Sequence, residues 1–245
     1  PGHEAIVLPP RRGPYESSLM SLADGTVALF HDHDHALHMR TTRDRGRSWD
    51  ASRPLMTTQD ERITGSRTSP VRLKSGKLGL FHSGSQVRPG RDCKLVFRVS
   101  SDEGQTWSDG VDVDPIFAVV RSSCGRVLSS GRIIAPVFIW ISPYTGGISE
   151  HPSHGFCFSW VYYSDDEGQT WNKSLSELTI AKDQGRGGMY QFEEPVVEAL
   201  KDSRLIMLGR TELGRHYVSY SSDEGISWST PQPGTVTAAY TPTSL

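Results

Sequence analysis

The 245-residue chain has few cysteines, almost no net charge and no long apolar run. Its three cysteines, Cys93, Cys124 and Cys157, form no Cys-x-x-Cys pair. This excludes a disulfide-rich scaffold and a zinc ribbon, and it leaves the redox compartment open. No stretch of about 18 apolar residues is present, so we expect no membrane-spanning helix. With 26 basic and 28 acidic residues, the net charge of −2 gives no sign of a nucleic-acid partner.

Helical periodicity is also scarce in this sequence. Its 24 glycines, 15 prolines and six tryptophans are typical of many short strands joined by turns. Hydrophobic residues make up 36% of the chain, which is enough for one large all-β domain or for two small domains. No basic-then-apolar leader is visible, but the chain starts at Pro1, so a leader removed by processing stays an open alternative.

An eight-residue pattern, Ser/Thr-x-Asp-x-Gly-x-Ser/Thr-Trp, occurs four times, with its tryptophans 58, 64 and 57 residues apart. The aspartate can accept backbone N–H bonds within a tight turn, and the glycine can supply a positive φ. The tryptophan ring can then cover the turn. We therefore predict four structural turns that lie away from any chemistry and use their polar groups internally. Their aspartates and tryptophans are Asp44, Trp49, Asp102, Trp107, Asp166, Trp171, Asp223 and Trp228.

Upstream of each pattern lies a second repeat, which consists of an apolar run, a polar turn and another apolar run. The turns fit two-residue hairpins; they are Asp24-Gly25, Ser75-Gly76, Ser130-Gly131 and Asp202-Ser203. A third strand precedes each pattern, so every repeat predicts a four-stranded antiparallel sheet, which is the blade of a β-propeller. We predict one all-β propeller domain over residues 1–245, with about four blades and a flanking strand at each end. Because a ring usually needs more blades, we expect the domain to be incomplete and its open edges to permit self-association.

The eight-residue patterns resemble the Asp-box, or bacterial neuraminidase repeat, and the whole chain resembles the sialidase superfamily of six-bladed propellers. The fourth repeat, residues 187–229, is similar to the segment that carries an active-site glutamate and an arginine in these hydrolases. The resemblance implies an exo-acting glycoside hydrolase that releases a terminal acidic sugar, sialic acid, from a glycan and needs no cofactor. It weakly favours a secreted or periplasmic location.

The resemblance also implies a set of catalytic groups. Sialidases hold the substrate carboxylate with three arginines, because guanidinium groups bind carboxylates through paired charge-assisted hydrogen bonds. A tyrosine paired with a glutamate is their nucleophile, and an aspartate is their acid/base; these enzymes are an exception to the rule of two catalytic carboxylates. The tyrosine and the third arginine belong to later blades in the family, so the resemblance implies that this chain alone lacks essential catalytic residues.

Six residues match the family's motifs closely enough to be candidates. Arg210 corresponds to the second arginine, and Arg12, in Arg-Arg-Gly-Pro, corresponds to the first. The tyrosine's partner is Glu193 by residue spacing or Glu194 by its Glu-Pro pairing. The aspartate is Asp32 or Asp34. For each of these residues, a solvated or strand-edge side chain is the simpler alternative.

Other features admit several interpretations. His31, His33 and His35 alternate with the two aspartates, so on a strand the histidines would share one face. Imidazoles and carboxylates are metal ligands, but a sugar-binding rim or a solvated loop is favoured, and we predict no metal. Arg67, Arg121 and Arg126 could add to a cationic site, although ordinary surface charge explains them as well.

The main alternative function is a non-catalytic propeller that binds glycans or proteins, because propellers have many functions. A glycosidase for a neutral sugar is the third. The expected partner is a glycan in the first and third cases.

Overall fold

A computed structural model describes residues 17–84, 94–114, 119–120, 124–142, 147–148 and 156–239 of the chain. Its strands form the four predicted blades, each an antiparallel sheet, and in blades 1, 2 and 4 successive strands pair with each other. Blade 1 consists of β1 (Ser18–Ser21), β2 (Val27–His33), β3 (Ala36–Thr42) and β4 (Arg53–Pro54). Blade 2 consists of β5 (Ser66–Arg72), β6 (Leu78–Ser83), β7 (Leu95–Ser100) and β8 (Val111–Asp112).

Blade 3 is the largest sheet and has six strands. They are β9 (Val119–Val120), β10 (Arg126–Val127), β11 (Ile133–Ser142), β12 (Gly147–Ile148), β13 (Phe156–Ser164) and β14 (Asn172–Lys173). A two-stranded sheet and a 3-10 helix follow, as β15 (Ile180–Ala181), the helix Lys182–Gly185 and β16 (Met189–Tyr190). Blade 4 consists of β17 (Glu193–Ala199), β18 (Leu205–Arg210), β19 (Arg215–Ser221) and β20 (Gln232–Thr237). The predicted all-β blade architecture is confirmed, whereas the single, incomplete domain over residues 1–245 stays a prediction.

The turn between the first two strands of each blade differs from the prediction. In blade 1, Leu22 N–H donates to the Thr26 carbonyl at 2.8 Å, so the loop holds three residues rather than two. Gly25, the last of the three, has φ 81°. The same bonds recur in the other blades, with Ser203 in place of the glycine in blade 4. The two-residue prediction was wrong because a left-handed residue in the third loop position closes a longer hairpin.

The strand directions define two ends in each blade. The first strand of each blade, such as β1, starts at the end where the second strand, such as β2, finishes. We call this the upper end. The turn between these two strands and the Asp-box lie at the opposite, lower end. Neighbouring blades are aligned in the same sense. Ser18 Oγ and Thr68 Oγ1 form a 2.8 Å hydrogen bond between the starts of β1 and β5. At the lower end, Ser75 N–H donates to Glu167 at 2.9 Å between blades 2 and 3.

Within each Asp-box, the aspartate carboxylate organises the turn. In the second box, Asp102 accepts the backbone N–H of Thr106 at 2.9 Å and its hydroxyl at 2.7 Å. Ser100 Oγ donates to Asp102 at 2.7 Å and accepts the Gly104 N–H at 2.8 Å. The same bonds occur around Asp44, Asp166 and Asp223. These bonds lower the pKa of all four aspartates, although partial burial opposes the shift.

The Asp-boxes are not self-contained, because each of the last three also attaches to the preceding blade. Trp107 of blade 2 is fully buried in an apolar cluster with Phe30, Leu37 and Met39 of blade 1. Trp171 of blade 3 packs on two phenylalanines of blade 2, and Trp228 of blade 4 lies in a cluster with Ile134 of blade 3. The glutamate that follows the aspartate of each of these boxes adds a polar contact across the same interface. Glu103 and Glu167 accept hydrogen bonds with their carboxylates, and Glu224 accepts one with its backbone carbonyl.

Candidate active site

The upper end of blade 4 brings together three of the candidate residues. β17 and β18 pair so that Glu193 lies directly opposite Arg210. The register then shifts before Val196, which inserts one additional residue into β17 as a β-bulge. Pro195 lies in this bulge, where the lack of an N–H costs no ladder hydrogen bond. The start of β17 and the end of β18 therefore place two carboxylates beside one guanidinium.

The bulge holds Glu194 in the left-handed region, with φ 49°. A residue other than glycine is strained there by about 1–3 kcal/mol, and such residues are concentrated at functional sites. Glu194 Oε2 accepts a hydrogen bond from Arg210 Nη1 at 2.6 Å. Arg210 Nε lies 3.5 Å from Glu193 Oε1. Glu194, the residue with the strained backbone, is therefore also the one that forms the short ion pair with Arg210.

All three charged side chains are buried. The exposed fraction is 0% for Glu193, 11% for Glu194 and 16% for Arg210. With both glutamates ionised, the three groups carry a formal charge of −1. Buried charges persist in proteins when they are paired, so Arg210 is needed to keep both carboxylates at this depth. The small exposed fractions of Glu194 and Arg210 leave these two residues within reach of a ligand.

β13 supports this arrangement from behind. Ser159 Oγ donates to the carbonyl of Phe192, the residue before Glu193, at 2.5 Å. Cys157 Sγ lies 3.8 Å from the same carbonyl. Burial, followed by the charges of the two glutamates, raises the pKa of the Cys157 thiol well above its usual value. Cys157 therefore remains a neutral thiol and contributes packing.

The glycine before Arg210 is required by a close contact. A Cβ at Gly209 would lie 2.5 Å from the ring of Phe192, which is fully buried. The ring and the Ser159 bond together fix the direction in which the chain enters β17. The carboxylates are therefore held by a rigid support, as a pre-organised site requires.

The two aspartate candidates differ in their positions. Asp32 is the sixth residue of β2, and Arg210 is the sixth residue of β18, and both strands follow the equivalent turn of their blades. Asp32 therefore has the blade position of Arg210, at the upper end. Asp34 lies at the tip of the β2–β3 hairpin with φ 49°, and its side chain is 84% exposed. The backbone thus favours Asp32 as the residue that shares an end with Arg210.

The predicted row of histidines is only partly correct. β2 ends at His33, and His35 lies in the hairpin turn with φ 61°, so it does not continue the alternation. The third ring is His38 of β3, whose centroid lies 5.7 Å from that of His31 and 5.3 Å from that of His33. Ser52 Oγ bonds to His31 and His38. Within the described ranges, no group of three or more histidine, cysteine or acidic side chains is arranged to hold a metal ion.

The other arginine candidates lie in different parts of the chain and have different surroundings. Arg12 and Arg121 lie outside the described residues. Arg126 Nε forms a 3.0 Å ion pair with Glu198 of blade 4, so it has a structural role between blades. Arg67 is half-buried at the upper end of blade 2 with φ 55°. The sequence leaves Arg67 open between a cationic site and ordinary surface charge, because its Gly-Ser-Arg-Thr-Ser-Pro segment shares no motif with the start of β17.

The chain is similar to a known protein family and to two sialidases. The BNR repeat-like domain family matches residues 31–244. A sialidase of Paraclostridium sordellii is 28% identical over 256 residues, which cover 88% of this chain and 57% of the relative. Sialidase-3 of Bos taurus is 31% identical over 143 residues, which cover 49% of this chain and 33% of the relative. The chain thus spans only part of the length of either sialidase.

Solved structures share the fold at low sequence identity. A Dyadobacter fermentans protein of unknown function has a TM-score of 0.65 at 15% identity, over 91% of this chain and 70% of the other. The Trypanosoma rangeli sialidase in complex with the inhibitor DANA has a TM-score of 0.60 at 18% identity, over 88% of this chain and 37% of the other. The part of the chain that the structure describes contains no helix long and apolar enough to cross a bilayer. From its four Asp-box blades and these matches, the chain belongs to the BNR repeat-like domain family of the sialidase superfamily.

Proposed function

We propose that the chain carries part of the active site of an exo-acting sialidase, which releases terminal sialic acid from glycans. The observation that supports this most is the buried group of Glu193, Glu194 and Arg210. An uncharged sugar has no need of a guanidinium at this place, whereas a sialic acid carries a carboxylate at its anomeric carbon. Arg210 binds that carboxylate through its N–H donors, in a setting where burial strengthens the charge-assisted bonds.

The two glutamates have separate roles in this proposal. Glu193 has no exposed surface and positions the Arg210 guanidinium. Glu194 retains some exposure and is presented by the bulge, so it is the carboxylate that partners the nucleophile. In this superfamily the nucleophile is a tyrosine, which avoids repulsion between an attacking carboxylate and the substrate's own carboxylate. A glutamate at hydrogen-bond distance would accept the tyrosine's proton.

Asp32 completes the chemistry that this chain supplies. At the upper end of blade 1, it protonates the leaving glycosidic oxygen in the first step. It then removes a proton from the water that hydrolyses the glycosyl-enzyme intermediate. Arg12 is the second proposed carboxylate ligand, on the resemblance of its Arg-Arg-Gly-Pro segment alone.

The test is hydrolysis of a fluorogenic sialoside by this chain and by the full-length product of its gene. Arg210→Ala should lower kcat/KM by about 10²–10³-fold, because it removes a buried donor to the substrate carboxylate. Arg204→Ala is the matched control, since Arg204 is an exposed arginine of the same blade and pairs with Asp202. Turnover unchanged by Arg210→Ala would refute the carboxylate clamp. No release by either protein, with both folded, would favour a glycan-binding propeller or a different sugar.

A further inference from the structure

The backbone of Glu194 needs a restraint from outside its own strand. A residue other than glycine keeps a φ of 49° only when its surroundings hold it there. On the side-chain side, Glu194 Oε2 is held by Arg210 Nη1 at 2.6 Å. On the backbone side, the chain reaches Glu194 through the peptide between Phe192 and Glu193, which lies where the β17–β18 ladder begins. The orientation of this peptide therefore decides whether Glu194 can keep its conformation.

Ser159 of blade 3 fixes that peptide. Its Oγ donates a hydrogen bond to the Phe192 carbonyl at 2.5 Å. Because a peptide unit is planar, a bond to its carbonyl oxygen also sets the direction of the Glu193 N–H at the other end of the unit. The thiol of Cys157 lies 3.8 Å from the same carbonyl, but a thiol is a weak donor. Ser159 therefore supplies the stronger of the two contacts.

Ser159 is itself held rigidly in blade 3. It lies opposite Phe138 in the β11–β13 ladder. On its other side, its N–H donates to the Leu178 carbonyl at 2.9 Å, and its own carbonyl accepts from the Leu178 N–H at 2.7 Å. The residue has no exposed surface. Its hydroxyl therefore cannot follow the Phe192 carbonyl if the peptide rotates, and it cannot touch a substrate.

We infer that Ser159 is a positioning residue for the proposed reaction and acts across the boundary between blades 3 and 4. This inference rests on the proposed function. The Ser159 hydroxyl holds the Phe192–Glu193 peptide, and this peptide keeps Glu194 in the left-handed region with its carboxylate beside Arg210. Without the hydroxyl, the strained backbone relaxes, and the Glu194 carboxylate moves from the place where it partners the nucleophile. Because a small displacement of a reacting group lowers the rate steeply, the loss falls on kcat.

The test compares Ser159→Ala with Ser219→Ala in the full-length product of the gene. Ser219 is a matched control, because it is also fully buried and its Oγ donates to a backbone carbonyl, that of Ser229, at 2.5 Å. This contact lies towards the lower end of blade 4, away from Arg210. With the fluorogenic sialoside, Ser159→Ala should lower kcat about tenfold and leave KM within about threefold, since Arg210 keeps Glu193 as a partner. Ser219→Ala should leave both constants within about twofold of wild type.

Thermal unfolding and a double variant separate positioning from a loss of packing. Both serine variants lose one buried hydrogen bond, so their Tm values should fall by amounts within about 3 °C of each other. In a Glu194→Gln background, Ser159→Ala should change kcat less than about twofold, because the carboxylate through which Ser159 acts is already gone. Ser159→Cys, which retains a weak donor of similar size, should fold and have a kcat between those of wild type and Ser159→Ala.

Three results would overturn the inference while the proposed function stands. They are a Ser159→Ala kcat within about twofold of wild type, an equal loss of kcat in Ser219→Ala, and a loss that persists undiminished in the Glu194→Gln background. If Ser159→Ala does not fold, a Ser159→Cys kcat equal to that of wild type overturns it in the same way. A folded wild-type protein that hydrolyses no sialoside would refute the proposed function, and the role of Ser159 with it.

Discussion

Removal of Arg210 is expected to destabilise the protein through the carboxylates it leaves behind. Glu193 is fully buried and Glu194 nearly so, and the Arg210 guanidinium lies 3.5 Å and 2.6 Å from their oxygens. Breaking a buried ion pair by deleting one partner costs about 3–5 kcal/mol. For a protein of this size, each kcal/mol corresponds to a shift in Tm of about 2–4 °C. Arg210→Ala should therefore lower Tm by about 6–20 °C at neutral pH.

A second substitution tests whether charge is the cause. Glu193→Gln in the Arg210→Ala background replaces the carboxylate that has no solvent exposure with a neutral amide of similar shape. Because one of the two buried carboxylates beside the missing guanidinium is then neutral, the double variant should recover at least about 1–2 kcal/mol relative to Arg210→Ala. In the wild-type background, the same change should destabilise the protein, since it removes a partner of Arg210. The sign of the Glu193→Gln effect thus reverses with the presence of Arg210.

The assay is thermal unfolding followed by circular dichroism at pH 7 for the four members of this cycle. Arg204→Ala is again the reference, because its exposed ion pair with Asp202 is worth about 1 kcal/mol or less. An Arg210→Ala loss no larger than that of Arg204→Ala would refute the reasoning. So would a double variant that is no more stable than Arg210→Ala.

Two further predictions concern blades 1 and 2. Burial, and then the charge of Arg98, lower the pKa of His82 to about 4 in the folded protein. As the pH falls, the His82 imidazole is therefore protonated in the unfolded chain before it is protonated in the folded protein. The free energy of unfolding should therefore decrease by about 3 kcal/mol between pH 6.5 and 4. Measured by urea unfolding, His82→Gln should flatten this pH dependence, and an unchanged pH dependence would contradict the prediction. Trp107→Ala removes a fully buried ring and should lower the free energy of unfolding by about 3–5 kcal/mol in the same assay. Trp49→Ala removes a half-buried ring from the first Asp-box and should lower it clearly less. Equal losses would contradict the blade-to-blade packing of Trp107.

Local sequence patterns predicted the blades because each strand and turn is encoded within a few residues. The spacing of the Asp-boxes gave the number of repeats, and the Asp, Gly and Ser/Thr positions gave the hydrogen bonds of each box. The glutamate choice stayed open because Glu193 and Glu194 are adjacent, and only the bulge in β17 separates a buried carboxylate from a partly exposed one.

Features that depend on pairing between distant segments could not be predicted. A β-bulge is set by the register of two strands, so the matching bulges of β5 and β17 could not be predicted from two segments whose prolines, Pro70 and Pro195, lie at different positions relative to the bulge. His38 joins His31 and His33 because β3 pairs with β2, and no local alternation signals this. The attachment of each of the last three Asp-boxes to the preceding blade likewise involves residues about 50–90 positions apart.

The direction of the Asp-box contacts has a consequence for how the protein is built. Blades 2, 3 and 4 each reach back to the blade before them in the chain, through Trp107, Trp171 and Trp228. A ribosome delivers the chain from its N-terminus, so each emerging blade finds its docking surface already made. Assembly can then proceed one blade at a time, with every finished strand pair covered soon after it appears. The repeated motif thus docks each blade onto the preceding one in the order in which the blades are translated.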